Sequence, residues 1–451
     1  MTNQTSTPAI HIVGSGLAGS EAAFYLASRG IPVVLHEMRP ERMTEAHKTD
    51  RCAELVCSNS LKSKIPHSAP GMLKAEMRKV GSLILDTAEK SEVPGGDALA
   101  VDRDVFAEGI TRALSNHPLI TRVSGEVTKP EPDRITLIAT GPLTTAGLCE
   151  WIVKATAQDD LYFYDAIAPI IDASTIDMDK AFLANRYDRG EEQAYLNCPM
   201  SEDEYNAFLD ALIAGEKVQP KAFEEEKFFQ GCQPIEAIAA TGRQSLRFGP
   251  MKPVGLNDPV TGKRHHAVVQ LRPENRSLTA YNLVGFQTKL KYGEQAKVFR
   301  MIPALHKVEF LRLGSIHRNT YVCGPRVLRT DLSLKGHPKV YLAGQITGVE
   351  GYLESAACGM LAAIFIEQRV RGLPHRAPPV NTAFGAILKH LTATDPKNYQ
   401  PANAHFGLFD ASFFEPAPGQ GKEEARKSMA SQAIARFSEW WAVNPSVPRA
   451  L

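Results

Sequence analysis

Residues 9–40 read AIHIVGSGLAGSEAAFYLASRGIPVVLHEMRP, a stretch that constrains the fold more than any other. The apolar run IHIV suits a short buried strand, and it feeds directly into Gly14-Ser15-Gly16-Leu17-Ala18-Gly19. This is a G-x-G-x-x-G match, weak when it stands alone. Here a helical pattern closed by Gly30 follows, and a second strand, Val33–Glu37, ends on an acid about twenty residues further on. That context predicts the strand–turn–helix–strand unit that binds dinucleotides. Gly14 permits the tight turn, Gly16 the close approach of a pyrophosphate, and Gly19 the packing of helix on sheet. Backbone amides from Ser15 to Ala18 lie at the helix start, where the phosphates bind, and Glu37 is placed to accept hydrogen bonds from a ribose diol.

The chain has 451 residues, 43% hydrophobic and 22% charged, enough for two or more domains around sizeable cores. A net charge of +1 makes the whole molecule no attractor of nucleic acid, so any polyanion must meet a local patch. Seven cysteines spread along the chain argue against a secreted disulfide framework. No basic segment followed by an apolar one opens the sequence, and no apolar run approaches membrane-helix length. The expectation is a cytoplasmic protein with no membrane span and no metal site. Later segments repeat the first theme. RITLIATGP (134–142) reads as a strand and turn, and 161–174 as extended chain. KVYLAGQITGVEGYLESAACGMLAAIFIEQRVRG (339–372) again gives strand, glycine turn and long helix. Between them the pattern changes, which predicts an inserted α+β domain over 175–325. The flanking parts, 1–174 and 326–451, form one α/β, Rossmann-like domain, with an amphipathic helix near Glu423–Trp441.

Two features favour FAD over NAD as the nucleotide. The apolar strand ending in Thr140-Gly141, and the late turn carrying Gly344, Gln345, Gly348 and Gly351, both resemble flavoprotein signatures. The second places helix amides near the flavin pyrimidine ring, where reduced flavin is negative. Glycine loops that bind S-adenosylmethionine usually end earlier.

CAELVCSNS (52–60) raises a separate question, because flavin-dependent disulfide reductases also space two cysteines five apart. Those enzymes surround the pair with glycines, which are absent here. On a helix, positions five apart diverge by about 140°. The reading is therefore that Cys52 and Cys57 are not a redox pair. Ser58, Asn59 and Ser60 are turn and cap formers, so a helix start beside Cys57 would lower its pKa. A buried, inert thiol is the competing reading.

ELVCSNSLKS (54–63), GMLKAEMRKVGSLIL (71–85), ALAVDRDVF (98–106), GCQPIE (231–236), LRFGPMKPVGL (246–256), YNLVGFQTKLKYGEQ (281–295), HRNTY (317–321) and AGQITGVEGY (343–352) carry a resemblance over about residues 10–410. Together they closely resemble the bacterial folate- and FAD-dependent tRNA (uracil-5-)-methyltransferases, flavoproteins of the glucose-inhibited-division-protein-A-like kind. The resemblance implies methylation of uridine-54 in the T loop of tRNA. The carbon comes from 5,10-methylenetetrahydrofolate, and the hydride from flavin reduced by NADH or NADPH. By motif match its two working cysteines are Cys57 and Cys232. Uracil C5 is a poor nucleophile, and a thiolate adding at C6 turns the ring into an enolate that can attack an electrophilic methylene. Cys232 is the expected attacker and Cys57 the assistant, although the order could be reversed. Cys52 stands where the family usually has an aromatic residue, which tells against a part for it in that chemistry. His317 is expected to stack on the pterin, with Arg318 and Asn319 bonding its polar edges. Between Phe286 and Lys339 there are eleven Lys/Arg against three acids, a candidate RNA patch that includes Lys289, Lys291 and Arg300. No obligate protein partner is expected. The same chemistry on a ribosomal RNA uridine, or a flavin oxidoreductase or disulfide reductase without RNA, are the alternatives.

Overall fold

The computed structural model describes residues 8–158, 161–188, 194–218, 233–409 and 421–443. Ile10–Val13 is a strand with all four side chains buried, as a strand covered on both faces requires. It pairs in parallel with Val33–Glu37 on one side and Thr136–Ile138 on the other. Ile120–Ser124 and Val340–Leu342 complete a five-stranded parallel sheet, with Val340–Leu342 beside Thr136–Ile138 and Ile120–Ser124 beside Val33–Glu37. Two helices, Leu17–Ala27 and Tyr352–Val370, pack closely against each other. Small residues allow this, since Gly359 lies directly against the backbone of Ala18. The C-terminal helix, Lys422–Ala442, packs on the helix Ala69–Val80.

A second sheet is antiparallel. Its order is Phe182–Leu183, Leu196–Met200, Ala267–Pro273, Ala280–Leu283, Ile170–Asp172 and Phe310–Arg312. It has its own core, including Phe208, Phe286 and Phe299, distinct from the core of the parallel sheet. The strand Ile170–Asp172 joins this sheet although it precedes residue 175. The acidic stretch at 201–216 forms the helix Glu202–Ala214, closed by a capping box between Ser201 and Glu204. Between the two units runs an antiparallel ribbon, Leu161–Ala166 against Ile316–Tyr321. Among the described residues, no helix is long and apolar enough to cross a membrane.

Candidate functional site

The parallel sheet ends in a solvent-open cleft with about 1060 Å³ of empty space, the open mouth included. Its position outside the carboxyl ends of parallel strands is where open α/β folds bind ligands. Gly14, Gly16, Leu17, Ala18, Glu37, Thr140, Gly141, Gly344 and Gln345 line it. Gly14 has φ +98°, and a side chain there would meet the carbonyl of Ala139 at 2.7 Å. No side chain caps the helix that opens at Leu17, so its first amides have no side-chain acceptor. Four expected positions do not line the cleft. Ser15 is buried behind it, and its amide and hydroxyl both donate to Glu37, at 3.0 and 2.7 Å. Gly19 lies against the carbonyl of Gly14, 1.9 Å from where its Cβ would stand, so it serves helix packing. Gly348 packs on the Tyr399 hydroxyl and Gly351 beside Glu354 and Lys62, so the second turn reaches the cleft through Gly344 and Gln345 only.

Glu37 differs from expectation in its partners. Its two oxygens already accept five hydrogen bonds, two from Ser15 and three from the amide and guanidinium of Arg39. A carboxylate offers about four lone-pair sites, so a ribose diol must take the place of one of these donors. Burial alone would raise the Glu37 pKa, but the hydrogen bonds and charge of Arg39, with Ser15, hold it at about 2. Because this lies below the usual value, the stabilisation is complete above about pH 4.5 and is lost as pH falls toward 2. Glu37→Gln should cost about 3 kcal/mol at pH 7, equivalent to that shift, and little near pH 2. Urea midpoints of both proteins at pH 7, 4 and 3 check this; a loss that does not shrink with acid contradicts it.

Arg39 also donates to the Thr49 carbonyl at 3.0 Å and to Glu54 at 3.3 Å. Glu54 in turn accepts from Lys48 and Thr49, which closes the loop ahead of Cys57. Arg39, His47, Glu54 and Val56 all line the cleft, so this loop is one of its walls. His47 is kept neutral, its pKa lowered to about 4 by burial and by the charge of Arg39. None of this was found from the sequence. The signal available was the run of polar residues between Glu37 and Cys57.

Cys57 is half-buried at the far end of the same loop. A strand, Ser60–Ser63, follows it rather than the expected helix start. Its amide donates to the Tyr352 hydroxyl at 2.6 Å, as does that of Ser58 at 3.1 Å. Tyr352 is the first residue of the long second helix and lines the cleft. Burial and the neighbouring Cys57 thiol push its phenol pKa up. Arg103 donates to the Leu55 carbonyl at 2.6 Å and pairs with Glu274, so its charge persists despite burial. Arg312 also interacts electrostatically with Cys57 and Arg103. Asn59 spans the two units, donating to the Val101 and Pro273 carbonyls and accepting from Arg272 at 2.9 Å.

Cys52 is wholly buried and, like Cys57, a free thiol. Cys232 lies outside the described residues. His317 and Arg318 are placed by their backbone opposite Asp165 and Tyr164, and their side chains also lie outside what is described. Asn319 is buried, and its amide nitrogen has no hydrogen-bond partner among the described residues. Of the expected RNA residues, Lys291 pairs with Glu216 at 2.8 Å and Arg300 donates to the Val308 carbonyl. Lys289, half-buried, also has intramolecular partners.

The cleft fits an extended dinucleotide. A Cβ on Gly16 would meet no protein atom within 4 Å, so the space above it is reserved from side chains. Parallel sheet, uncapped helix start and second glycine turn define a flavoprotein of the dinucleotide-binding class. The chain belongs to the family described as "Glucose inhibited division protein A", whose model matches residues 9–374, and within it to the TrmFO group. It is 50% identical over 437 residues to the "Methylenetetrahydrofolate--tRNA-(uracil-5-)-methyltransferase TrmFO" of Geobacter sulfurreducens, covering 97% of this chain and 99% of that one. To the Brevibacillus brevis protein of the same name it is 52% identical over 403 residues, covering 89% and 92%. Among solved structures, Aquifex aeolicus GidA superposes with a TM-score of 0.64 at 15% identity, over 97% of this chain and 75% of that one. That likeness concerns the fold.

Proposed function

We propose that the chain is a folate- and FAD-dependent methyltransferase acting on C5 of uridine-54 in the T loop of tRNA. The observation that carries this reading is identity of about 50% to the named methyltransferases over nearly the whole length of each chain. The cleft residues named above would hold FAD, with the helix start at Leu17 toward the pyrophosphate and Glu37 toward the ribose. FAD, once reduced by NADH or NADPH, supplies the hydride that completes the methyl group. Cys232 adds to uracil C6, and Cys57 removes the C5 proton or handles the methylene. Arg103, held by Glu274 and Leu55, keeps the Cys57 loop in place, and Tyr352 fixes its backbone from the cleft side. Asn319 would bond the pterin edge beside His317 and Arg318. The free thiol at Cys57, close to the cleft wall, supports this assignment.

The test supplies the FAD-loaded protein with unmodified tRNA, labelled methylenetetrahydrofolate and NADH or NADPH, followed by nucleoside analysis. Label in 5-methyluridine is expected, and it should vanish when position 54 is changed to cytidine. A requirement for S-adenosylmethionine, or label only in ribosomal RNA, overturns the proposal.

A further inference from the structure

LRFGPMKPVGL has no part in the cleft. It forms the end of the short helix Ser245–Phe248 and the loop behind it, with Leu246 and Met251 buried in the second core. Phe248 is 84% exposed and Val260 90% exposed. Arg247 donates to the His266 carbonyl at 2.7 Å, which ties the helix to the chain two residues beyond Arg264. The loop between closes on itself, with Asp258 accepting from the amides of Val260 and Thr261. The side chains of Lys252, Lys263 and Arg264 make no hydrogen bond or ion pair among the described residues. By contrast, Lys291 and Arg300 of the expected patch are engaged within the chain. An exposed aromatic ring in one segment with three unpaired cations is the composition that binds nucleic acid by base stacking and phosphate contact, and an acidic partner is what this charge complements.

We infer that the face formed by residues 245–264 docks the folded RNA, with Phe248 stacking on a base and Lys252, Lys263 and Arg264 meeting phosphates. The inference rests on the tRNA reading above. The strand Ala267–Pro273 leads from this face to Glu274 beside Cys57. Seven residues at about 3.3 Å each span roughly 20 Å. That is about six stacked nucleotides, at ~3.4 Å apiece, between this face and the Cys57 loop.

The FAD-loaded protein, Phe248→Ala, Phe248→Trp and the triple variant Lys252→Gln/Lys263→Gln/Arg264→Gln are compared for tRNA binding across a salt series. Flavin absorbance, circular dichroism and gel filtration run alongside. Phe248→Ala should weaken binding roughly tenfold with the salt slope unchanged, and Phe248→Trp should restore it. The triple variant should lower the salt slope by about two. Unchanged affinity and slope in all variants, with a wild type that binds and methylates tRNA, overturn the inference and leave the function standing. A wild type that binds no tRNA defeats both. A variant that instead changes the oligomeric state identifies a self-association face and overturns the inference.

Discussion

Gly16→Val is expected to purify folded but colourless. The backbone at Gly16 has φ −67°, which any residue adopts, and its Cβ direction is free of protein atoms. The added side chain therefore costs the fold little and falls on the ligand. Pushing a pyrophosphate off two amides forfeits two charged hydrogen bonds, each worth about 1.5–3 kcal/mol. The affinity for FAD should drop at least about a hundredfold. Gly359→Val is the contrast, because its Cβ would stand 2.1 Å from the Ala18 carbonyl oxygen, between the two central helices. Overpacking there should cost about 3 kcal/mol or more and yield little folded protein. The ratio of flavin to protein absorbance, with a thermal melt of the apoprotein, separates the two outcomes. A yellow, fully loaded Gly16→Val protein would remove the pyrophosphate from that position.

Cys57→Ala is expected to keep its flavin and lose methylation by at least about a thousandfold, within the range for removing a proton-transfer group. Val56 and Tyr352 line the cleft, whereas Cys57 stands just behind them, so cofactor retention should be close to normal. Cys52→Ala is the reciprocal case. That thiol is wholly buried in the core of the parallel sheet, and its loss should cost about 1–2 kcal/mol in stability while turnover survives. Initial rates with saturating tRNA and urea midpoints give both numbers. If Cys52→Ala abolished turnover as completely as Cys57→Ala, the two sulfurs would have to be treated as a working pair.

Much of the nucleotide site was legible because local rules write it into consecutive residues. Strand, glycine turn and helix from Ile10 to Ala27, and the acid at Glu37, follow from periodicity and glycine spacing alone. The Glu37 carboxylate's occupation by Arg39 was not legible, because a side chain's partner two positions on depends on the turn between them. Arg103, Glu274, Arg312 and Tyr352 meet near Cys57 from four distant parts of the sequence, a meeting that no local pattern announces. The expected helix start after Cys57 failed for a related reason. Serine and asparagine favour caps and turns alike, and here Asn59 spends its amide on tying the two units together. The RNA patch inferred from charge counting took no account of carboxylates such as Glu216 brought in from elsewhere in the chain.

Asn59, two residues from Cys57, grips the backbone of both units at once. Displacing the antiparallel unit from the Cys57 loop would break these bonds. The loop that carries the thiol is thus clamped from both sides, by Tyr352 and Arg103 of the parallel unit and by the strand that ends at Pro273.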